Sequence, residues 1–333
     1  MKPTPELKVE PRSNVIPLDT SHGRLLSMLS TALGDPINKL LAEDDVVEIM
    51  VNPDGHLWID RLSKGRSDTG VIIRPEDAQR VIELVSSSTG SVCNAASPMV
   101  SAELPGCGSR FQGILPPVTS VPVFTIRKKA LMVFTLDDYV AEQIMTAPQK
   151  NKIIDAVHSK KNILIIGGTG SGKTTLANAI LNEIAKTNDR CIIIEDTQEL
   201  QCSALDVVFM RSREHVSMND LLRATMRLRP DRIIVGEVRG PEALSLLKAL
   251  NTGHPGGIAT LHANSAKGGL LRMEQLIQEA VPTPQQVLIA EAINLIVYIE
   301  RFENSRRIKD IVEVKGFKNG DYILEAVKEK NNS

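Results

Sequence analysis

Aromatic residues are scarce in this chain of 333 residues, where six Phe, three Tyr and one Trp make up 3% of the sequence. Proteins that bind single strands of nucleic acid stack the bases on aromatic side chains, so this scarcity counts against that class. Charge of one sign is also lacking, because 39 Lys and Arg nearly balance 40 Asp and Glu. The composition therefore excludes a global attraction to nucleic acid or anionic lipid, and any such binding must be local.

Clustered cysteines and long apolar runs are missing as well. The four cysteines contain no C-x-x-C pair, which counts against a zinc site and is typical of reduced thiols in a cytosolic protein. No apolar run approaches the roughly 18 residues that a membrane-spanning helix needs, so contact with a membrane is expected to be peripheral. The length has room for two domains.

The most informative segment is a glycine-rich stretch between an apolar run, 162–166, and a helical pattern that begins at Thr175. This order predicts a strand, a phosphate-binding loop and a helix, and hence a nucleoside triphosphate as ligand. Lys173 would neutralise the terminal phosphates, and the Thr174 hydroxyl would bind Mg²⁺. The predicted phosphate-binding residues are Gly168, Thr169, Gly170, Ser171, Gly172, Lys173, Thr174 and Thr175.

Patterns along the chain predict two folded regions. Residues 1–20 carry four prolines among charges and are interpreted as a flexible tail. Residues 21–130 mix helical and strand patterns and predict a smaller α+β domain, and residues 131–148 are interpreted as a linker. Strands and helices alternate over residues 149–333 around the loop, which predicts an α/β domain with a mainly parallel sheet covered on both faces.

Several elements are specific enough to be compared with a structure. In the first region the patterns predict a hairpin at 46–61, a helix at 75–87 and a β-rich stretch at 100–127. In the second they predict a helix from Asn219 to Arg229, ended by Pro230, and C-terminal strands joined by a turn at Asn319-Gly320.

Acidic side chains follow two of the predicted parallel strands. One strand, 232–235, leads into Glu237, and another, 191–194, runs into Glu195 and Asp196. Open α/β sheets bind ligands at the carboxyl ends of their strands. Glu237 is therefore predicted to organise Mg²⁺ through water and to orient or activate the attacking water. Spacing leaves open whether Glu195 or Glu237 is the base.

Three further side chains complete the predicted site. Asp196 is predicted to hold Mg²⁺ through water, whereas Glu199 is interpreted as a solvated loop charge. His262 ends another short apolar run, where an imidazole can sense the γ-phosphate by hydrogen bonding.

Four segments of the chain resemble the Walker A, Asp, Walker B and His boxes of the type II/IV secretion ATPase family, in the family's order. They are Gly167 to Thr175, Ile193 to Asp196, Ile233 to Arg239 and Gly253 to Asn264. The resemblance covers most of residues 45–300 and is strongest to the conjugal-transfer TrbB-type ATPases of type IV secretion. The tetracysteine zinc module common in type II secretion members is lacking.

The resemblance implies an ATP-hydrolysing hexameric motor with a RecA-like P-loop NTPase core behind an N-terminal domain. Such motors work at the cytoplasmic face of the inner membrane, with membrane channel proteins as partners. By motif, Lys173 and Thr174 would contact phosphates and Mg²⁺, and Glu195 would lie in the Asp box. Glu237 would be the Walker B catalytic residue and His262 the His-box sensor.

Two arginines are candidates by the same resemblance. The segments 109–117 and 124–127 resemble the part of the N-domain that supplies arginines to nucleotide. Arg110 and Arg127 are thus predicted to contact phosphate or to stabilise transition-state charge, within or between subunits. The alternative is a solvated basic edge.

Other functions remain open at this stage. A type IV pilus or type II secretion assembly ATPase would share the four boxes. A RecA-like nucleic-acid translocase has local support from the basic runs 127–129 and 306–307. A scaffold that binds nucleotide without turnover is the third alternative, and the intact Lys173, Thr174 and Glu237 argue against it.

Overall fold

The computed structural model describes residues 21–61, 64–129, 134–213, 215–302 and 305–327. The chain divides into two compact units, Met1–Lys129 and Ala130–Ser333. The predicted flexible tail, residues 1–20, lies outside the described residues. Over the stretch that the structure describes, no helix is long and apolar enough to cross a membrane.

The first unit is an antiparallel sheet with two helices packed on it. Its sheet has the strand order β3-β2-β1-β6-β5-β4, and the apolar side chains of the helices and the sheet form one core. The elements are α1 Ser21–Ala42, β1 Val46–Val51, β2 His56–Arg61, β3 Gly65–Ile72, α2 Pro75–Ser88, β4 Met99–Glu103, β5 Arg110–Ile114 and β6 Val123–Arg127. The mixed α/β content, the hairpin and the helix predicted from the sequence are confirmed.

The β1–β2 hairpin needs a glycine at its turn. Gly55 has a φ of 79°, a backbone conformation that residues with a side chain rarely adopt. Its N–H donates to Asn52 O at 2.9 Å. A Cβ there would lie 2.8 Å from Ile73 O. The turn therefore requires glycine at this position both for its backbone conformation and for space.

The second unit is an eight-stranded sheet between two layers of helices. The strand order is β14-β13-β12-β7-β11-β10-β8-β9. The six strands β7 to β12 pair in parallel. Strand β13 pairs in antiparallel fashion with β12 and with β14. Its elements are α3 Leu136–Ala141, α4 Ala147–His158, β7 Ile163–Gly167, α5 Lys173–Ile184, β8 Cys191–Glu195, β9 Val207–Arg211, α6 Met218–Thr225, β10 Arg232–Val235, α7 Glu242–Asn251, β11 Ile258–His262, α8 Ala266–Gln278, α9 Gln286–Ala292, β12 Leu295–Phe302, β13 Ser305–Lys318 and β14 Asp321–Ala326.

Both faces of this sheet are buried, as the continuous apolar runs predicted. Along β7, Leu164 and Ile166 pack into the core shared with α6 to α9. The alternate residues Ile163 and Ile165 pack into the core shared with α3 to α5. The phosphate-loop segment thus starts from a strand that is held on both sides.

The helix predicted from Asn219 to Arg229 is shorter than expected. It ends at Thr225, and the next residues close tighter turns in which Leu228 N donates to Thr225 O at 2.9 Å. Arg229 has a φ of 54°, a left-handed conformation that leaves the helical path just before Pro230. The α-helix therefore ends about one turn before the residue that its apolar periodicity indicated.

The predicted C-terminal strands and their turn are confirmed. Asn319 and Gly320 have φ values of 56° and 81°, which are the left-handed conformations of a type I′ turn. This turn joins β13 to β14, whose register pairs Lys318 with Asp321.

A buried ion pair holds the edge of the sheet opposite the phosphate loop. Arg232, 1% exposed, donates from Nε to Asp189 Oδ2 at 2.7 Å and from its other nitrogens to Gly256 O and Val157 O. Lys160 Nζ lies 2.7 Å from the second oxygen of Asp189. Burial opposes the charge of this carboxylate, but Lys160 and Arg232 outweigh it and hold the pKa of Asp189 at about 2.

This pair predicts a specific acid sensitivity. The pKa of Asp189 is lower in the folded protein than its ordinary 3.8, so its stabilising effect is complete above that value and is lost as the pH falls towards about 2. Asp189→Asn should lower the free energy of unfolding at pH 7 by on the order of 3 kcal/mol, because Arg232 stays buried without an anion. Chemical denaturation across pH measures both effects.

Asp206→Asn is the matched control, because Asp206 pairs with Arg190 at the surface, where ion pairs contribute at most about 1 kcal/mol. Equal losses in the two variants would contradict a structural role for the buried pair.

Candidate nucleotide site

Four parallel strands end at the same edge of the second unit's sheet. β7 ends at Gly167, β8 at Glu195, β10 at Val235 and β11 at His262. Because all four run in one direction, the residues that follow them meet at the edge where open α/β folds bind ligands. The predicted residues Lys173, Glu195, Glu237 and His262 are thereby brought together.

The glycine-rich loop has a shape that side chains would prevent. Gly170 and Gly172 have φ values of 69° and 96°, which favour glycine. A Cβ on Gly167 would lie 2.4 Å from Ser171 Oγ and 2.3 Å from Ile299 O. The loop is therefore compact, and α5 begins directly after it at Lys173.

The Lys173 ammonium is held at the opening of this loop. Its Nζ donates to Gly167 O and Gly168 O, each at 3.0 Å, and lies 3.2 Å from His262 Nδ1. Only 8% of Lys173 is exposed, and charges interact more strongly where water is excluded. The cation is thus positioned beside the anion-binding backbone before any ligand arrives.

His262 and Arg239 contact the two oxygens of Glu237. His262 Nε2 lies 2.8 Å from Oε1, and Arg239 Nη2 donates to Oε2. Arg239 Nη1 also donates to Asp196 Oδ2. Although burial disfavours its charge, Glu237 and Asp196 outweigh that effect and raise the pKa of Arg239. A chain of side chains therefore runs from Lys173 to Asp196.

Glu195 has a different environment from Glu237. It is 4% exposed, and its Oε1 accepts hydrogen bonds from Glu199 N at 3.0 Å and Leu200 N at 2.9 Å. A Cβ on Gly236 would lie 2.8 Å from Glu195 Cγ, so the carboxylate packs against the backbone of the neighbouring strand end. Glu195 holds the loop that follows β8.

Glu199 was wrongly interpreted as a solvated loop charge. The fold of the loop brings its Oε2 to 3.3 Å from the hydroxyl of Thr174. Two hydrogen bonds from the backbone to Glu195 turn the loop back over the start of α5, and the sequence analysis did not predict them. Such a return is set by hydrogen bonds between a side chain and the backbone, and it has no periodic pattern in the sequence.

The two candidate arginines of the first unit are neighbours in its sheet. Arg110 on β5 lies directly opposite Arg127 on β6, and Arg127 also lies opposite Glu48 on β1. Burial raises the pKa of Glu48, and the charge of Arg127 opposes that rise. The role of Arg110 and Arg127 as nucleotide contacts stays a prediction.

The site's residues fit a nucleotide with Mg²⁺. Within the described ranges no group of three or more His, Cys, Asp or Glu is arranged to hold a metal. Mg²⁺ bound to nucleotide keeps several waters and takes only one or two protein groups besides the phosphates. The Thr174 hydroxyl at the start of α5 and the nearby Glu199 are chemically suited to that arrangement.

Comparisons with known proteins agree on one family. Residues 35–313 match the Type II/IV secretion system protein family. The chain is 49% identical over 308 residues to the probable conjugal transfer protein TrbB of Sinorhizobium fredii, across 92% of this chain and 94% of that protein. It is 28% identical over 341 residues to the type IV secretion system protein VirB11 of Bartonella henselae, across 88% and 95%.

A solved structure of the pilus retraction motor PilT with bound ADP has a similar fold. Its TM-score is 0.60 at 20% sequence identity, and the match covers 87% of this chain and 80% of that one. The fold is a mixed α/β architecture, with a glycine-rich loop between β7 and α5 of the second unit. The chain belongs to the type II/IV secretion system protein family.

The contact between Gly236 and Glu195 leads to a prediction. Gly236→Ala should push Glu195 away and release Glu199 N and Leu200 N, because its Cβ would lie 2.8 Å from Glu195 Cγ. The expected loss is about 1 to 3 kcal/mol of unfolding free energy in nucleotide-free protein. Hydrogen exchange at those two amides should accelerate.

Gly168→Ala is the control, because a Cβ there meets nothing within 4 Å and should leave nucleotide-free stability unchanged. If both variants kept the two amides protected, Glu195 would not be what holds this loop.

Proposed function

We propose that this protein is an ATPase that drives type IV secretion or conjugal transfer, and that it hydrolyses ATP at the loop after β7. Membership of the family and 49% identity to a conjugal transfer protein support the biological system. The observation that carries the catalytic assignment is the contact chain Lys173–His262–Glu237 beside the loop. It provides a cation for phosphate and a carboxylate for water at one place.

Hydrolysis requires a water oxygen to bond to the γ-phosphorus while the bond to the bridging oxygen of ADP breaks. Lys173 offsets negative charge on the phosphates, and the loop's backbone N–H groups hold them. Glu237 orients the water and accepts its proton. ADP and phosphate are the products.

Glu237 is the better candidate for this role than Glu195. Both backbone hydrogen bonds to Glu195 fall on its Oε1, and its side chain is packed beneath the strand end. Glu237 is 16% exposed and is contacted by side chains that can rearrange when nucleotide binds. Glu195 is therefore assigned to position the loop, and Glu237 to act on water.

Arg239 donates a hydrogen bond to Glu237 Oε2, and His262 Nε2 lies 2.8 Å from Oε1. His262 lies between Lys173 and Glu237, where it can also hydrogen bond to the γ-phosphate. Mg²⁺, when bound, neutralises phosphate charge; Thr174 would contact it directly, and Glu237 and Asp196 through water.

The wider architecture is part of the same proposal. The second unit would be the RecA-like ATPase core, within the sequence boundaries 149–333. The first would be the N-terminal domain of residues 21–130, with Arg110 and Arg127 reaching nucleotide. A homo-hexamer at the cytoplasmic face of the inner membrane, in contact with channel proteins, fits the family. Of the basic pair 306–307, the local support for nucleic-acid translocation, Arg307 forms an ion pair with Glu300 within its own domain.

A pair of isosteric variants tests the two glutamates. Glu237→Gln should lower kcat by about 100- to 10,000-fold and leave ATP binding intact, because the amide cannot accept the water's proton. Glu195→Gln should stay within about 10-fold of the wild type, because its amide oxygen still accepts both loop N–H groups. Steady-state kinetics and nucleotide binding measure these effects.

Lys173→Ala, which removes the phosphate contact, serves as the control for lost binding. Turnover that survives in Glu237→Gln and disappears in Glu195→Gln would reverse the assignment.

The oligomer predicted by the family is tested by native mass spectrometry with and without a non-hydrolysable ATP analogue. We expect six copies in the presence of nucleotide. A monomer under both conditions would contradict a ring motor, while the catalytic assignment would stand on the kinetic variants.

A further inference from the structure

The β12–β13 hairpin lies against the phosphate loop on the side opposite His262. In the sheet order, β12 flanks β7 on one side and β11 flanks it on the other. The carbonyl of Ile299, on β12, lies 2.3 Å from the position that a Cβ on Gly167 would take. The hairpin therefore touches the loop directly, and its side chains are within reach of a bound nucleotide.

Arg306, near the start of β13, packs against the last glycine of the loop. A Cβ on Gly172 would lie 2.9 Å from Arg306 Cδ and 3.2 Å from its Nε. Gly172 immediately precedes Lys173 and has a φ of 96°. Its lack of a side chain is what lets this arginine lie across the loop.

One nitrogen of the Arg306 guanidinium is left without a hydrogen-bond partner among the described residues. This nitrogen is Nε, and it is buried. A buried donor without an acceptor destabilises a folded protein, more so when the group is charged, so such groups call for an explanation. Tyr139 is a buried neighbour of Arg306. Burial raises the pKa of Tyr139 more than the Arg306 charge lowers it, so Tyr139 is not an anion at neutral pH and does not neutralise Arg306.

We propose that Arg306 binds the α- and β-phosphates of the nucleotide, which rests on the proposed function of the loop. Backbone N–H groups of such loops cradle the α- and β-phosphates, whereas the loop lysine reaches the β- and γ-phosphates. Lys173, His262 and Glu237 contact one another on the β11 side of the loop, where the proposed function places the γ-phosphate. Arg306 approaches from the β12 side, so its contacts are common to ADP and ATP.

This role separates Arg306 from its neighbour Arg307. Arg307 donates to Glu300 Oε1 at 2.8 Å and lies over the Phe302 ring, with 3.9 Å between its guanidinium carbon and the ring centroid. Its charge is therefore satisfied within the hairpin. Arg307→Met is accordingly a matched control for Arg306→Met, one residue away on the same strand.

Binding of ADP, a non-hydrolysable ATP analogue and inorganic pyrophosphate is to be measured by calorimetry for the wild type and both variants. Arg306→Met should weaken all three by a common factor of about 10 to 100, as for a lost charge-assisted hydrogen bond. Arg306→Lys should recover part of the affinity, and Arg307→Met should match the wild type.

Several results would overturn the inference. Unchanged ADP affinity in Arg306→Met would refute a contact between Arg306 and the phosphates. Weaker ADP binding with unchanged pyrophosphate binding would also refute it, because Arg306 would then contact the nucleoside instead. A melting temperature that falls without nucleotide in both Arg306→Met and Arg306→Lys would indicate a structural role. Failure of the wild type to bind ADP would instead refute the proposed function.

Discussion

The pairing register of β11 against β7 is the constraint on which the candidate site depends. It sets His262 opposite Gly167, the residue at which the strand ends and the phosphate loop begins. From this position the imidazole lies between Lys173, which follows the loop, and Glu237, which follows β10. Because successive residues of a strand face opposite sides, a slip of one residue would turn His262 away and break the chain.

The site has a rigid inner part and an open outer part. Lys173 and Glu195 are almost fully buried and are held by backbone groups, Lys173 by carbonyls and Glu195 by amides. Backbone partners belong to the sheet and loops and hold these charges in place before nucleotide binds. Arg239 and His262 have about half of their side chains exposed, and exposed ion pairs contribute little to stability. The outer pairs are therefore the part of the site that can exchange partners without unfolding it.

The glycines of the site serve two different physical purposes. Gly170 and Gly172 supply positive φ angles that shape the loop. Gly167 and Gly236 supply space, since a Cβ would meet Ile299 O at the first and Glu195 Cγ at the second. Gly172 meets both requirements, because a Cβ there would also lie 2.9 Å from Arg306 Cδ.

Most of the second unit was predictable because its strands, helices and loop are each indicated by residues that are adjacent in the sequence. The apolar runs, the glycine-rich stretch and the residues just after each strand placed Lys173, Glu195, Glu237 and His262 at one edge. Local patterns gave the wrong end for the helix after Ser217, because the turn before Pro230 uses a left-handed residue. They also misjudged Glu199, whose position depends on hydrogen bonds to a side chain four residues earlier.

By itself the sequence determined the class of chemistry: a phosphate loop, acidic strand ends and a histidine in an order that identifies a family of secretion ATPases. These features were readable because each joins a residue type to a neighbouring element. Only the tertiary structure decided that Glu195 holds the loop after β8, whereas Glu237 contacts Arg239 and His262. It also decided that Arg306, 134 positions after Gly172 in the sequence, lies against the loop. Strand pairing brings such residues together across long separations, and no local pattern in the chain records it.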